Sequence, residues 1–211
     1  MTLKELEARI QIQEDIEAIR KLQHAYAYYL QHWQEEEIVS LFSQSPDTIM
    51  DMGAEGSFKG PEGIRKFFSY PDRYNTTITK APPEFLHQLM PISGIIDVDP
   101  NGKTAKGRWF GFGVYALLTD GKVQALFGTG IWENEFIKEG GKWKFTKLHY
   151  SLTFKTPYED GWVKTPIWRG SRDYLPELKG KRAVSHNGIS TTPYPSGYIE
   201  PYHYKNPVTG K

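Results

Sequence analysis

No cysteine occurs among the 211 residues, which excludes a disulfide framework, a thiol nucleophile and thiolate metal sites together. A surplus of charge is missing as well. Lys and Arg number 26 against 25 Asp and Glu, a formal +1, so no global field favours nucleic acid, an anionic membrane or a polyanionic substrate. Long hydrophobic runs are absent too: Met1 to Glu17 alternates charged and apolar residues, and nothing later reaches the length of a membrane span. Together with the lack of cysteine, this leads us to expect a cytoplasmic protein. Metal-ligand spacings are lacking, since His24 and His32 lie eight apart and there is no HxH, HxxxH or HExxH run, and no metal is expected. Gly111-Phe112-Gly113 falls inside a predicted strand and lacks the strand-to-helix turn that cradles phosphate. A nucleophile elbow and paired carboxylates for glycoside chemistry are also missing. Asp47, Asp51 and Glu55 cluster near the first predicted strand, a pattern that ordinarily makes a solvated rim or a helix cap.

What is present is periodicity, first of helices and then of strands. From about Leu3 to Trp33 apolar residues recur at three- and four-residue steps through Ile16, Ile19, Leu22, Tyr26, Tyr29 or Leu30, and Trp33, one stripe of a long amphipathic helix. A shorter helix is predicted around Glu35 to Phe42, a short strand at about Thr48 to Met52, and a third helix after Gly60-Pro61-Glu62 that ends near Tyr70-Pro71. Beyond an irregular loop, Asn101-Gly102, Asp120-Gly121 and Gly140-Gly141 are hairpin-turn dipeptides. They divide the chain into four antiparallel strands at roughly 87–99, 103–118, 122–138 and 142–155. Strands of about 14 residues must twist and bend rather than lie flat. Alternation slips in the last of them, where Trp143 and Phe145 are odd but Leu148, Tyr150, Leu152 and Phe154 are even, so a bulge is predicted near Thr146.

Helices followed by a curved meander predict an α+β cone with the helices covering one face of the sheet. We assign this domain to residues 1–155. Residues 156–211, rich in Pro, Gly, Tyr and Trp as in Thr191-Thr192-Pro193-Tyr194-Pro195, form an extended tail expected to pack on the domain or on a neighbouring subunit.

His87 stands where the irregular loop enters the first long strand, among Phe85, Leu86 and Leu89. A lone histidine in such company is most often a hydrogen-bonded core residue. Against that stands the helix stripe, where Tyr26 and Tyr29 carry hydroxyls that need partners when buried. Both could equally fill the core.

The chain resembles the SnoaL-like branch of the nuclear transport factor 2-like superfamily, and looks closest to the bile-acid 7α-dehydratases, with similarity also to the hexachlorocyclohexane dehydrochlorinase and scytalone dehydratase groups. The residues that carry the resemblance are Asp15-Ile16-Glu17-Ala18-Ile19-Arg20-Lys21-Leu22 with Tyr26, Phe58-Lys59-Gly60-Pro61-Glu62-Gly63, Gly107-Arg108-Trp109, and Asn134-Glu135-Phe136 leading to Gly141-Lys142-Trp143-Lys144-Phe145. They span about residues 1 to 155. The resemblance implies a cone-shaped fold, frequent trimers, and cofactor-free lyase chemistry run by a His–Asp pair. His87 matches the family's catalytic histidine and Tyr26 a tyrosine of the dehydratase pocket. The aspartate does not carry over, because Gln31 occupies its place, and Leu152 replaces an arginine expected on the last strand. A carboxylate beside imidazole fixes its tautomer and stabilises the imidazolium, whereas an amide can do only the first; in serine proteases that exchange costs about 10⁴ in turnover. Either another acid such as Asp51 supports His87, or the chemistry needs a weaker base, or the pocket only binds.

The reading we carry forward is a cofactor-independent dehydratase-type lyase, or related isomerase, acting on a hydrophobic ring compound of steroid, polyketide or aromatic type. His87 would be the base, Tyr26 the donor and Gln31 the orienting residue. Tyr29, Met50, Trp109, Trp132, Tyr150 and Leu152 would line the pocket. No cofactor, nucleic acid or membrane is expected, and the chain is expected to be a homo-oligomer, a trimer ahead of a dimer. The alternatives are a non-catalytic binding protein for an apolar small molecule and a structural subunit whose aromatic tail mediates assembly.

Overall fold

The computed structural model describes residues 1–74, 77–119, 122–168 and 193–211. The chain opens with helix α1 (Leu3–Leu30), started by a capping box in which Thr2 and Glu5 satisfy each other's backbone N–H groups. Its buried line is Asp15, Ile19, Gln23, Tyr26 and Leu30, so two polar residues share the stripe that the periodicity assigns to apolar ones. Each has a partner on the sheet. Asp15 accepts from Trp143 Nε1 at 2.9 Å and Lys138 Nζ at 2.7 Å, and Gln23 accepts from Asn134 Nδ2 at 2.9 Å. Asp15, Asn134 and Trp143 belong to the motifs that carry the family resemblance, and here they pin the helix to the sheet.

After α1 come α2 (Glu35–Ser40), β1 (Ile49–Asp51), a 3₁₀ turn (Gly53–Glu55), β2 (Ser57–Lys59), α3 (Gly60–Phe68) and α4 (Tyr70–Tyr74). The third predicted helix ends at Phe68, close to Tyr70-Pro71, and a separate short helix follows with Pro71 in its first turn, where the missing N–H costs nothing. Four long strands follow: β3 (Leu86–Val98), β4 (Thr104–Thr119), β5 (Lys122–Glu139) and β6 (Lys142–Pro157), with a last short helix α5 (Gly161–Lys164). One six-stranded sheet runs in the order β2-β1-β6-β5-β4-β3, antiparallel except where β1 lies parallel to β6. The fold is α+β, an open curved sheet with the N-terminal helices across one face.

Three register shifts bend the sheet: at Ile92/Ile95 on β3, at Thr129/Gly130 between β5 and β6, and at Glu135/Phe136, where Thr146 is skipped in the pairing. Trp109 is wedged into the first of them. A Cβ placed on Gly94 would lie 2.2 Å from its Nε1 and one on Gly107 2.4 Å from its six-membered ring. The core fills the concave face with Ile19, Tyr26, Trp33, Phe68, Trp132, Phe136, Phe145 and Leu148.

The Asp120-Gly121 turn and residues 169–192 of the tail lie outside the described residues. Residues 165–168 run beside the end of β6, where Lys155 bridges Ile167. Residues 198–204 cross the outer face of the sheet. Arg108 on β4 donates to the carbonyls of Glu200 and Pro201 at 3.1 and 3.0 Å, and His203 contacts Glu133 on β5 and Asp97 on β3.

Candidate functional site

His87 enters β3 just after Phe85, and its backbone N–H donates to the Gln31 carbonyl at the end of α1 (3.1 Å). That bond fixes the strand against the helix. The imidazole stacks on Trp33 (centroids 5.4 Å apart, 20° between planes) and tilts against Tyr115 at 4.7 Å. Its Nδ1 is buried and accepts or donates no hydrogen bond among the described residues.

Around it closes a cavity lined by Tyr26, Leu30, Trp33, Met52, Glu55, Phe67, Arg73, Leu89, Tyr115, Leu117, Tyr150, Leu152 and Lys155, leaving about 50 Å³ for solvent. Met52, Glu55, Leu152 and Lys155 are only half-buried, so the lining meets solvent on their side, and a ring compound would have to displace side chains to occupy a space this small.

Three elements bring charge to an otherwise apolar lining. Glu55, in the 3₁₀ turn, pairs with Arg73 of α4 at 2.5 Å. The Arg73 guanidinium lies 4.0 Å over the Phe67 ring and 5.1 Å from the Trp33 ring on which His87 stacks. Lys155 of β6 has its Nζ 4.7 Å over the Tyr115 ring and 5.6 Å from Trp168. Burial pushes the His87 pKa well below its usual value; the Lys155 and Arg73 charges add to this and Glu55 opposes it. The imidazole is therefore neutral at pH 7. Burial likewise raises the phenols of Tyr26, Tyr115 and Tyr150, with Arg73 working against this at Tyr26. All three stay protonated and can donate. The Tyr150 hydroxyl interacts with that of Tyr115 but has no well-aligned partner among the described residues.

The predicted site residues separate into three groups. Tyr26, His87, Tyr150 and Leu152 meet in the cavity. Met50, Trp109 and Trp132 are fully packed core side chains outside its lining, and Tyr29 packs at the core's edge. Gln31 takes part only through its carbonyl: its side chain approaches His32 and lines a separate groove with His24, Tyr28, Gln88 and Met90. Nor does Asp51 support His87. It is fully buried, accepts from the Gly53 N–H at 3.1 Å, and pairs with His149 Nδ1 at 3.1 Å on the outer face of the sheet. Asp47 faces solvent with Lys59, so the acidic residues near β1 do not form one cluster: Asp47 is on the surface, Asp51 is buried on the outer face of the sheet and Glu55 reaches the pocket.

Glu55, Arg73, Tyr115 and Lys155 were not foreseen. Tyr115 had a signal, because it continues the alternation of Trp109, Gly111 and Gly113 along the concave face. Those glycines make space for rings rather than for phosphate: a Cβ on Gly111 would stand 3.0 Å from the Tyr150 ring, and one on Gly113 2.9 Å from the Tyr115 hydroxyl. Lys155 had a misleading signal. Thr153 is skipped between Phe154 and Leu152 in the pairing with β5, so the side-chain parity reverses there and turns Lys155 inward.

A curved antiparallel sheet with helices over its concave face and an aromatic pocket around a buried histidine defines an α+β protein with a pocket between helices and sheet. The chain belongs to the SnoaL-like domain family, whose model matches residues 11–149. Solved structures share the fold. A scytalone dehydratase candidate from Novosphingobium aromaticivorans aligns over 77% of this chain and 99% of its own with 18% identity and a TM-score of 0.59. A type 3 hexachlorocyclohexane dehydrochlorinase from Novosphingobium barchaimii covers 71% and 93% at 19% identity and a TM-score of 0.56. A nuclear transport factor 2-like protein with a cystatin-like fold, also from N. aromaticivorans, covers 82% and 97% at 17% identity and a TM-score of 0.52. No curated protein matches the chain in sequence. No helix among the described residues is long and apolar enough to cross a membrane.

Proposed function

We propose that the chain is a cofactor-independent lyase, or a closely related isomerase, acting on a hydrophobic ring compound with His87 as general base. One observation carries this reading: an enclosed imidazole shares its pocket with three tyrosine hydroxyls and with the cationic side chains of Arg73 and Lys155. The imidazole takes a proton from carbon, and Tyr26 donates to the developing oxyanion or to the leaving oxygen. Elimination of this kind needs proton transfer and charge stabilisation and no further group. The names of two of the similar structures, a dehydratase and a dehydrochlorinase, support the same reaction class. A binding role without catalysis is favoured by a different observation, that no described carboxylate bonds to His87 Nδ1. Turnover of a panel of steroid, polyketide and aromatic alcohols and ketones separates the two. His87→Ala should lower turnover at least about 10²-fold while ligand affinity changes much less; unchanged turnover favours the binding role.

We also propose that the protein self-associates, a trimer ahead of a dimer. The cross-strand pairs Met90–Phe112 and Ile92–Phe110 leave four large apolar side chains exposed on the outer face of β3 and β4. Light scattering at micromolar concentration should report an oligomer, and a monomer would contradict this.

A further inference from the structure

The family match ends at residue 149, yet residues far beyond it reach toward the pocket through a series of close ion-pair contacts and one hydrogen bond. Glu200 approaches His149 Nε2 at 3.2 Å from the outer side of the sheet, and His149 Nδ1 contacts Asp51 at 3.1 Å. All three are buried, at 7%, 3% and 0% exposure. The other carboxylate oxygen of Asp51 accepts from the backbone N–H of Gly53 at 3.1 Å, the first residue of the 3₁₀ turn. That turn is small and conformationally demanding, with Gly53 at φ +56° and Gly56 at φ +107°. Its own bonds are Glu55 N–H to Met52 and Gly56 N–H to Gly53, both 3.1 Å. Glu55 leaves the turn on the pocket side and pairs with Arg73.

The partners of Asp51 matter because burial without them would be costly. A carboxylate with no exposed surface needs compensating charge and donors. His149 supplies charge when protonated, and Glu200 favours that protonation from its other nitrogen. Without Glu200 the imidazole has one acid instead of two. It then binds Asp51 less firmly, and the turn loses part of what holds its first N–H.

We propose that the C-terminal segment is part of the functional site: Glu200, acting through His149 and Asp51, positions the turn that presents Glu55, and with it Arg73, to the pocket. Glu200, His149 and Asp51 are positioning residues, none of which touches the cavity. What they position is the acidic half of the charge balance around His87. The charged and titratable groups facing that imidazole are Tyr26 from α1, Glu55 from the turn, Arg73 from α4, Tyr115 from β4, and Tyr150 and Lys155 from β6. Glu55 is the carboxylate in this set, and a proton arriving on the imidazole gains from it. The proposal rests on the reading of His87 as the base only for its consequence in turnover; the structural coupling stands or falls separately.

The test uses the full-length chain and needs no substrate. Amide hydrogen exchange and the imidazole resonances of His87 are followed in wild type, Glu200→Ala, His149→Gln and Glu55→Gln. Glu200→Ala and His149→Gln should speed exchange at Gly53, Glu55 and Gly56 at least about tenfold while the α1 amides from Ile19 to Tyr26 stay as in wild type. Both should also move the His87 resonances in the direction that Glu55→Gln moves them. Unchanged exchange in the turn would overturn the proposal, as would equal acceleration throughout the chain, which would make the tail a source of global stability alone. His87 resonances that stay put in all three variants would overturn it too. Failure of His87→Ala to affect turnover bears on the general-base reading and leaves these measurements untouched.

Discussion

The imidazole of His87 lies between the rings of Trp33 and Tyr115, so truncating it removes packing as well as any chemistry. Loss of activity in His87→Ala is therefore informative only beside a folded, ligand-binding control, which His87→Gln provides with a smaller change of shape. Gln31 offers the opposite case. The family resemblance puts it where an aspartate is expected, and a carboxylate beside the imidazole would raise the proton affinity of His87. Its side chain instead approaches His32, in a groove apart from the cavity. Gln31→Asp should then change turnover by less than about twofold, within the usual range for a surface substitution away from a site. A rise of tenfold in steady-state kinetics would show that residue 31 reaches the imidazole after all.

Among the elements, those whose geometry is local were legible and those decided at long range were not. Asn101-Gly102 and Gly140-Gly141 read as turns because their glycines take positive φ, +64°, +55° and +77°, and the bulge at Thr146 followed from broken alternation. β2 and α4 are three and five residues long, too short for a period, and β2 exists because β1 offers it a partner. The site divides in the same way. Tyr26 and His87 sit on periodic elements and could be named, whereas Glu55 and Arg73 come from a 3₁₀ turn and a short helix whose placement no spacing reveals. His149 was hidden for a related reason, since an outward position on β6 is buried only once residues 198–204 cover it. Burial alone would lower its pKa, but the Asp51 and Glu200 carboxylates against its two ring nitrogens prevail and push it up to about 9. Its folded pKa is thus above its unfolded value of about 6.5. The stability it contributes is complete below about pH 6.5 and disappears as the pH rises through about 9, with a ceiling of about 3 kcal/mol. Urea unfolding of wild type should weaken across that window, and the loss should be flatter in His149→Gln. Parallel curves for the two proteins would remove His149 from the account.

For the molecule as a whole, the sheet separates two kinds of burial. Its concave face carries the aromatic core and the cavity; its outer face carries ion pairs, among them Arg108–Glu133 at 2.7 Å, under the returning chain. The family motifs lie mostly at the joints, where Asp15 meets Trp143 and Gln23 meets Asn134, which explains why they identify the fold better than the reaction. The proposed reaction requires that a proton leave carbon for His87. For any ring compound that the wild type converts, deuterium placed at the carbon to be deprotonated gives the most direct reading. Wild type should show a primary kinetic isotope effect and release the label to solvent, and His87→Ala should slow that release at least about 10²-fold with binding retained. Release at the wild-type rate in His87→Ala would make the imidazole a wall of the pocket and contradict the proposed mechanism.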